Sequence, residues 1–283
     1  MPMRQRRFLQ VDVFSSRASK GNGLAVVVDA DDLSTEQMQA FAAWTNLAET
    51  TFLLPPTDDR ADYRVRIFSP AKEMAFAGHP TLGSCMAWLH CANAPKNPKT
   101  VRQECQIGLV DIDISKPDPA FIAPPTTMAP MPSSKQSRLI AAMGIDPSVV
   151  KTAIILDNGP NWNLFELHSA ADVLAVDANK TRWPEHAGLA LIGAHKGTSD
   201  IDFEVRNIAP SSGMSEDPIT GSLNAALARW MLETGRLTAD SVAAQGTCIG
   251  REGRVEYRLD PSRPNDVLIG GAVQIMIDGT LTL

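Results

Sequence analysis

Glu49, His79 and Asp217 are the residues of this 283-residue chain whose type and setting fit proton transfer. Glu49 follows Asn46-Leu47-Ala48 and precedes the β-rich stretch Thr50-Thr51-Phe52-Leu53-Leu54. A carboxylate among apolar neighbours loses solvation, and its pKa rises toward the range useful for general acid–base work. Local sequence alone favours the plainer alternative, an exposed Glu on a loop. Asp217 precedes Pro218. In that pair Asp217 fits a helix N-cap, accepting orphan backbone N–H bonds, and Pro218 fits the first helical position. Capping alone would account for Asp217, and holding a substrate group is the functional alternative; both stand. His79 precedes Pro80 in the same way. A lone His is more often a structural hydrogen-bonder, but beside a helix N-terminus its pKa falls, which favours the neutral form that passes protons.

Two helix starts therefore position these groups. They are Gly78-His79-Pro80-Thr81-Leu82-Gly83-Ser84 and, half a chain later, Glu216-Asp217-Pro218-Ile219-Thr220-Gly221-Ser222. Aligning Pro218 with Pro80 pairs Gly221 with Gly83, Ser222 with Ser84 and Asp217 with His79, an offset of 138 residues. Upstream, Tyr63-Arg64-Val65-Arg66-Ile67-Phe68-Ser69-Pro70 echoes Phe203-Glu204-Val205-Arg206-Asn207-Ile208-Ala209-Pro210 at an offset of 140. The expectation is two structurally similar halves. Their facing helix starts would form a pocket lined by backbone N–H groups, with Gly78, Thr220, Gly221 and Ser222 as the substrate-binding positions. Ser84 and Ser222 have packing as their simpler role. At the 138-residue offset Glu49 meets Ala187-Gly188, with no acid, so Glu49 is an addition to one half only.

Composition narrows the class. The chain is 44% hydrophobic with a net charge of −6 and no basic run, which argues against nucleic acid as a partner. No apolar run approaches the roughly 18 residues of a membrane span, and the start is no signal-peptide core. Free thiols at Cys85, Cys91, Cys105 and Cys248 and a cytoplasmic location are the expectation. His79, His90, His168, His186 and His195 are scattered without chelating spacing, so no metal site is expected. Neither a Walker A pattern, a dinucleotide loop nor Gly-x-Ser-x-Gly occurs.

The hydrophobic patterning predicts strands at 8–14, 24–28, 50–54 and 63–68, then two around Gly108. Ser34 with Gln37 is a capping box opening a helix with Met38, Phe41 and Ala42 on its apolar face. The prolines between 117 and 132 predict a surface connector. The second half predicts a helix ended by Gly144, a hairpin at 152–156 and 163–167, and strands at 189–193, 203–208, 247–250, 254–259, 267–269 and 273–277. Many strands and few helices in two copies read as α+β, each half a curled sheet around a helix.

At these motifs the chain resembles the PhzF-like family of phenazine-biosynthesis isomerases, which has the diaminopimelate epimerase fold. The resemblance is carried by Asn46-Leu47-Ala48-Glu49-Thr50-Thr51-Phe52, Arg66-Ile67-Phe68-Ser69-Pro70, Gly78-His79-Pro80-Thr81, Glu216 to Ser222, Gln245-Gly246 and Gly250-Arg251. It implies two pseudo-symmetric barrels, residues 1–118 completed by 266–283 and residues 119–265, with the active site between them. It also implies Glu49 as the proton-transferring acid/base, Asp217 and His79 as substrate-binding or relay residues, Ser222 in the pocket lining, no cofactor or metal, and a homodimer. Related epimerases carry a cysteine at each helix start; here Gly78 and Asp217 stand there, and Cys85 lies two turns deep, which argues against two-thiol racemisation. The expected activity is a cofactor-independent proton shift on a small carboxylic acid. The rivals are an amino-acid epimerase or racemase and a non-catalytic relative that only binds a small molecule.

Overall fold

A computed structural model of the protein describes residues 4–181, 188–197, 200–209 and 215–283. Pro210, His186 and Ala187, which entered the sequence reading, lie outside the described residues. In chain order the elements are β1 (Gln5–Val13), β2 (Asn22–Val27), α1 (Thr35–Thr45), β3 (Glu49–Leu54), β4 (Tyr63–Phe68), β5 (Glu73–Met74), α2 (Gly78–His90), β6 (Thr100–Cys105), β7 (Gly108–Asp113) and β8 (Ala120–Ile122). Next come β9 (Thr127–Pro130), α3 (Ser133–Met143), β10 (Val150–Asp157), β11 (Asn161–Leu167), α4 (Ala170–Ala175), β12 (Gly188–Ala194), β13 (Phe203–Ile208) and β14 (Glu216–Asp217). The chain ends with α5 (Gly221–Glu233), β15 (Ser241–Gln245), β16 (Gly253–Leu259), β17 (Val267–Gly270) and β18 (Val273–Thr282). No helix among the described residues is long and apolar enough to cross a membrane.

The chain divides into two compact units, Met1–Ile122 with Gly270–Leu283, and Ala123–Ile269. In the first, β18 pairs with β1, β1 with β2, β2 with β3 in parallel, β3 with β4, β4 with β6 in parallel, and β6 with β7. The second repeats this sequence of pairings: β9 with β10, β10 with β11, β11 with β12 in parallel, β12 with β13, β13 with β15 in parallel, and β15 with β16. Each sheet curls around a helix, α2 in one unit and α5 in the other. Gly78 to Cys85 of α2 are all buried, and so are Leu223 to Ala228 of α5. A helix buried on every side must be apolar or hydrogen-bonded all round, and it needs small residues where strands come close. At Gly83 an added Cβ would lie 2.7 Å from Leu24, 2.9 Å from Val11 and 3.0 Å from Val13.

Local signals account for much of this. Ser34 accepts from the Gln37 N–H and Gln37 reaches back to the Ser34 N–H, the expected capping box, and Asn46 ends α1 in the left-handed conformation. Gly144 ends α3 likewise, with φ of 65°. Four expectations are corrected. Asp217 is not the N-cap of α5 and Pro218 is not its first residue: Asp217 lies on β14, paired with Asn207 of β13, and α5 starts at Gly221 with Thr220 as N-cap. A residue before proline is driven to extended backbone, and the ladder with β13 takes it. In α2 the first residue is Gly78, so Pro80 is third, where its missing N–H has no intrahelical partner to lose. The two 13-residue helices therefore match at an offset of 143, which pairs Gly78 with Gly221 and His79 with Ser222. Residues Thr247–Ile249 form a short 3-10 turn rather than a strand, bounded by Gly246 and Gly250 at φ of 87° and 73°. Finally, the proline-rich connector contains β8 and β9, with Ala120 and Phe121 fully buried.

Candidate active site

Glu49 opens β3, opposite Leu24 in the parallel ladder with β2. Its side chain is 16% exposed, not the solvated loop carboxylate that local sequence favours, and its Oε2 lies 3.1 Å from Nε2 of His79, which is 6% exposed. His79 is the second residue of α2. Burial pushes its pKa down to about 3, so the imidazole is neutral at ordinary pH. The direction matches the expectation, with burial as its cause. A neutral imidazole beside a carboxyl group is the kind of pair that can pass a proton; here the two atoms stand at 3.1 Å with no hydrogen bond formed between them. Helix α2 is held to β3 by the Ser84 hydroxyl, which donates to Thr51 Oγ1 at 2.9 Å. Ser84 is thus a packing residue that fixes the Glu49–His79 spacing.

In the second unit Asp217 stands at the mouth of a buried hydrogen-bond network. Oδ2 accepts from the Thr220 hydroxyl and from Asn207 Nδ2 at 3.4 Å. Burial pushes the Asp217 carboxyl up, while those two donors pull it down. Gln245 caps α5 from another strand: its Oε1 accepts from the Thr220 N–H at 3.1 Å and from Asn224 Nδ2 at 2.8 Å. Gly221 and Ser222 form the first turn of α5, as Gly78 and His79 do in α2, and first-turn amides have no intrahelical partners. The Ser222 carbonyl accepts from Asn158 Nδ2 at 2.8 Å, and Asn158 Oδ1 accepts from Trp162 Nε1 at 3.1 Å. Sequence reasoning assigned no role to Asn158, Trp162, Asn207 or Gln245. The available signal was a glutamine ending the otherwise apolar strand Val242-Ala243-Ala244.

Both units use the same device to hold the turn before the central helix. Arg66 on β4 grips Glu73 on β5 at 2.7 Å, and Arg206 on β13 grips Glu216 on β14 at 2.6 Å. Among the described residues, no three His, Cys, Asp or Glu side chains group closely enough to hold a metal ion. Cys85 is fully buried on α2 and burial raises its thiol far above the ordinary value, so it is no nucleophile.

The family profile described as "Phenazine biosynthesis-like protein" (PhzC-PhzF) matches residues 11–279. The chain belongs to that family. It is 36% identical to Antisense-enhancing sequence 1 of Schizosaccharomyces pombe, over 98% of this chain and 99% of that protein. It is 31% identical to trans-2,3-dihydro-3-hydroxyanthranilate isomerase of Pseudomonas aeruginosa, over 90% of each chain. Among solved structures it is similar to the PhzF-family phenazine biosynthesis protein of Bacillus anthracis, with a TM-score of 0.82 over 99% of this chain and 100% of that one; at 18% identity that likeness speaks for the fold. This phenazine biosynthesis-like protein is an enzyme of the isomerase class with the diaminopimelate epimerase-like α+β fold.

The duplication of this phenazine biosynthesis-like chain is asymmetric at its acid. The parallel ladder of the first unit opens with Leu24 opposite Glu49, and that of the second with Trp162 opposite Gly188. Gly188 is therefore the structural counterpart of Glu49. A Cβ there would lie 2.7 Å from the Trp162 ring, so the indole occupies the space a second acid would need.

Proposed function

We propose that the chain moves a proton on a small carboxylate-bearing substrate, with Glu49 as the acid/base. Glu49 takes a proton from carbon beside an electron-withdrawing group and returns it elsewhere, with His79 as its relay partner. Asp217 is suited to accept a bond from such a substrate, and the first-turn amides at Gly78, Gly221 and Ser222 are each suited to hold a carboxylate or enolate oxygen, which stabilises negative charge as it develops. The observation that carries this reading is a nearly buried glutamate 3.1 Å from a neutral, buried histidine at a helix N-terminus. A cyclic dihydro-hydroxy acid of the kind named for the Pseudomonas aeruginosa relative is the first substrate to try.

The test is deuterium incorporation from heavy water into a panel of cyclic dienoic acids and amino acids, with wild type and Glu49→Gln. Glu49→Gln is expected to lower exchange by about 10²–10⁴-fold, the usual worth of a general acid/base. Exchange that survives in the variant would sink the assignment. A second reading, epimerisation with Asp217 as the second acid, rests on the raised Asp217 carboxyl; inverted substrate configuration in the product would select it. Ligand binding without exchange by either protein would select a pocket that only binds.

A further inference from the structure

The network beneath Asp217 is anchored at the backbone of Thr220, which fixes the donors of Gln245 and Asn224. The Thr220 N–H donates to Gln245 Oε1, and the Thr220 carbonyl accepts from Asn224 Nδ2 at 2.9 Å. A backbone N–H only donates and a carbonyl only accepts, so neither amide side chain can be turned over. Gln245 Nε2 must then face Thr220 Oγ1, 3.0 Å away, and the Asp217 carbonyl at 3.3 Å. Asn224 Oδ1 takes the Tyr257 hydroxyl proton at 2.7 Å. An ionised Asp217 accepts only, so Asn207 turns Nδ2 rather than Oδ1 toward Asp217 Oδ2, and that same Nδ2 donates to Thr220 Oγ1 at 3.0 Å. A hydroxyl has two acceptor sites and one proton. With both acceptor sites filled by amide N–H groups, the proton has one place left to go, Asp217 Oδ2.

We propose that Gln245 is a positioning residue for Asp217: by filling a lone pair of Thr220 it commits the Thr220 proton to Asp217 Oδ2 and leaves Oδ1 as the oxygen that meets the substrate. The proposal rests on the reading of Asp217 as a site residue and deepens it. It also moves Thr220 out of the substrate-binding set, because its hydroxyl has no capacity left for a ligand. Gln245, Asn224 and Tyr257 are fully buried, so water does not compete for these bonds. Within its own unit the charged group whose field acts on Asp217 is Glu216, adjacent on β14, and Glu216 is tied to Arg206 of β13. On β13 and β15 the neighbours are the neutral amides Asn207 and Gln245.

The experiment is carboxyl-carbon NMR titration of protein labelled at aspartate, with Asp217→Asn to identify the resonance. It needs no substrate. Donors to a carboxylate favour its charged form, so Thr220→Val is expected to raise the Asp217 midpoint by about one pH unit. Thr220→Ser, which keeps the hydroxyl, is expected to titrate as wild type. Gln245→Met keeps the hydroxyl but frees its proton, and a smaller rise is expected. A folded Gln245→Met that titrates as wild type overturns the role of Gln245. Should that variant not fold, Thr220→Val decides: an unchanged midpoint removes the donor on which the proposal depends. The two readings fail separately. Full deuterium exchange by Asp217→Asn would remove Asp217 from the site yet leave the proton direction standing, whereas unchanged midpoints would do the reverse.

Discussion

Replacing Arg206 by Met is expected to destabilise the second unit far more than the same change at Arg66 destabilises the first, although the two arginines do the same work. The difference is burial. The Arg206 and Glu216 side chains are 2% and 0% exposed, against 24% and 20% for Arg66 and Glu73. Removing one partner of a buried pair leaves an uncompensated charge and costs about 3–5 kcal/mol. Arg206 Nη1 also donates to the carbonyls of Val173 and Val176 at the end of α4, and an orphaned carbonyl adds about 1–3 kcal/mol. Arg66 contributes a partly exposed pair worth about 1 kcal/mol or less, with a cation–π contact over Phe68 of similar size. Against a typical domain stability of about 5–15 kcal/mol, Arg206→Met brings the second unit close to unfolding while Arg66→Met leaves the first largely intact. Two units need not unfold together, so the assay is hydrogen exchange of peptides from each unit across a denaturant series. Adding Glu216→Gln to Arg206→Met is expected to recover part of the loss, because it removes the stranded charge. Equal costs at the two arginines, or no recovery in the double variant, would refute the reasoning.

Two further outcomes follow from packing and titration. Gly83→Ala is expected to cost about 1–3 kcal/mol by overpacking, since its Cβ would press on Val11, Val13 and Leu24; a denaturant midpoint equal to wild type would mean that β1 and β2 yield freely. His79, near 3 in the folded chain and about 6.5 unfolded, has no effect on the pH dependence of stability above that range. As pH falls from about 6.5 toward about 3, the unfolded chain binds a proton that the folded chain does not, so stability drops by up to about 1.4 kcal/mol per pH unit. His79→Gln is expected to flatten that slope in denaturant midpoints measured against pH. Asp217, raised in the folded chain, acts with the opposite sign over the window above its ordinary value.

What the sequence made legible was what local chemistry decides. The alternation in β1 and β4, the Ser34–Gln37 box and the Gly144 stop all appear where residue type alone places them. The start of α5 was misplaced because its decisive partners are distant. Asp217-Pro218 has the composition of a cap, but Asn207 pairs with Asp217 as a strand and Gln245, 25 residues beyond Thr220, supplies the cap. The same holds for the site. Glu49 and His79 were each visible as candidates, yet their contact depends on α2 lying close over β1 and β2 at Gly83 and tied to β3 through Ser84 and Thr51. Strands β8 and β9 were hidden for a related reason: prolines mark where the ladder stops, while the pairing that forms it comes from β7 and β10.

The duplication explains why one acid suffices for the proposed chemistry. The two units share strand pairing, central helix and the arginine–glutamate grip, so each presents a helix N-terminus in the same local setting. If both had an acid at the head of the third strand, the natural reading would be two bases working in opposition, as inversion of a carbon centre requires. Here the second position is Gly188, and the ring of Trp162 stands where its side chain would be. That indole is not idle filling: its Nε1 orients Asn158, which in turn holds the Ser222 carbonyl in the first turn of α5. The second unit thus has a brace on its own helix start where the first has an acid. The carboxyl group it does retain there, Asp217, is held by donors that favour its charged form against a burial that opposes it. An aspartate so held is suited to accept a bond from the substrate, while Glu49, paired with a neutral histidine, is suited to exchange a proton. The two carboxyl groups thus stand in chemically different settings on one repeated frame, which is what the proposed separation of binding from proton transfer requires.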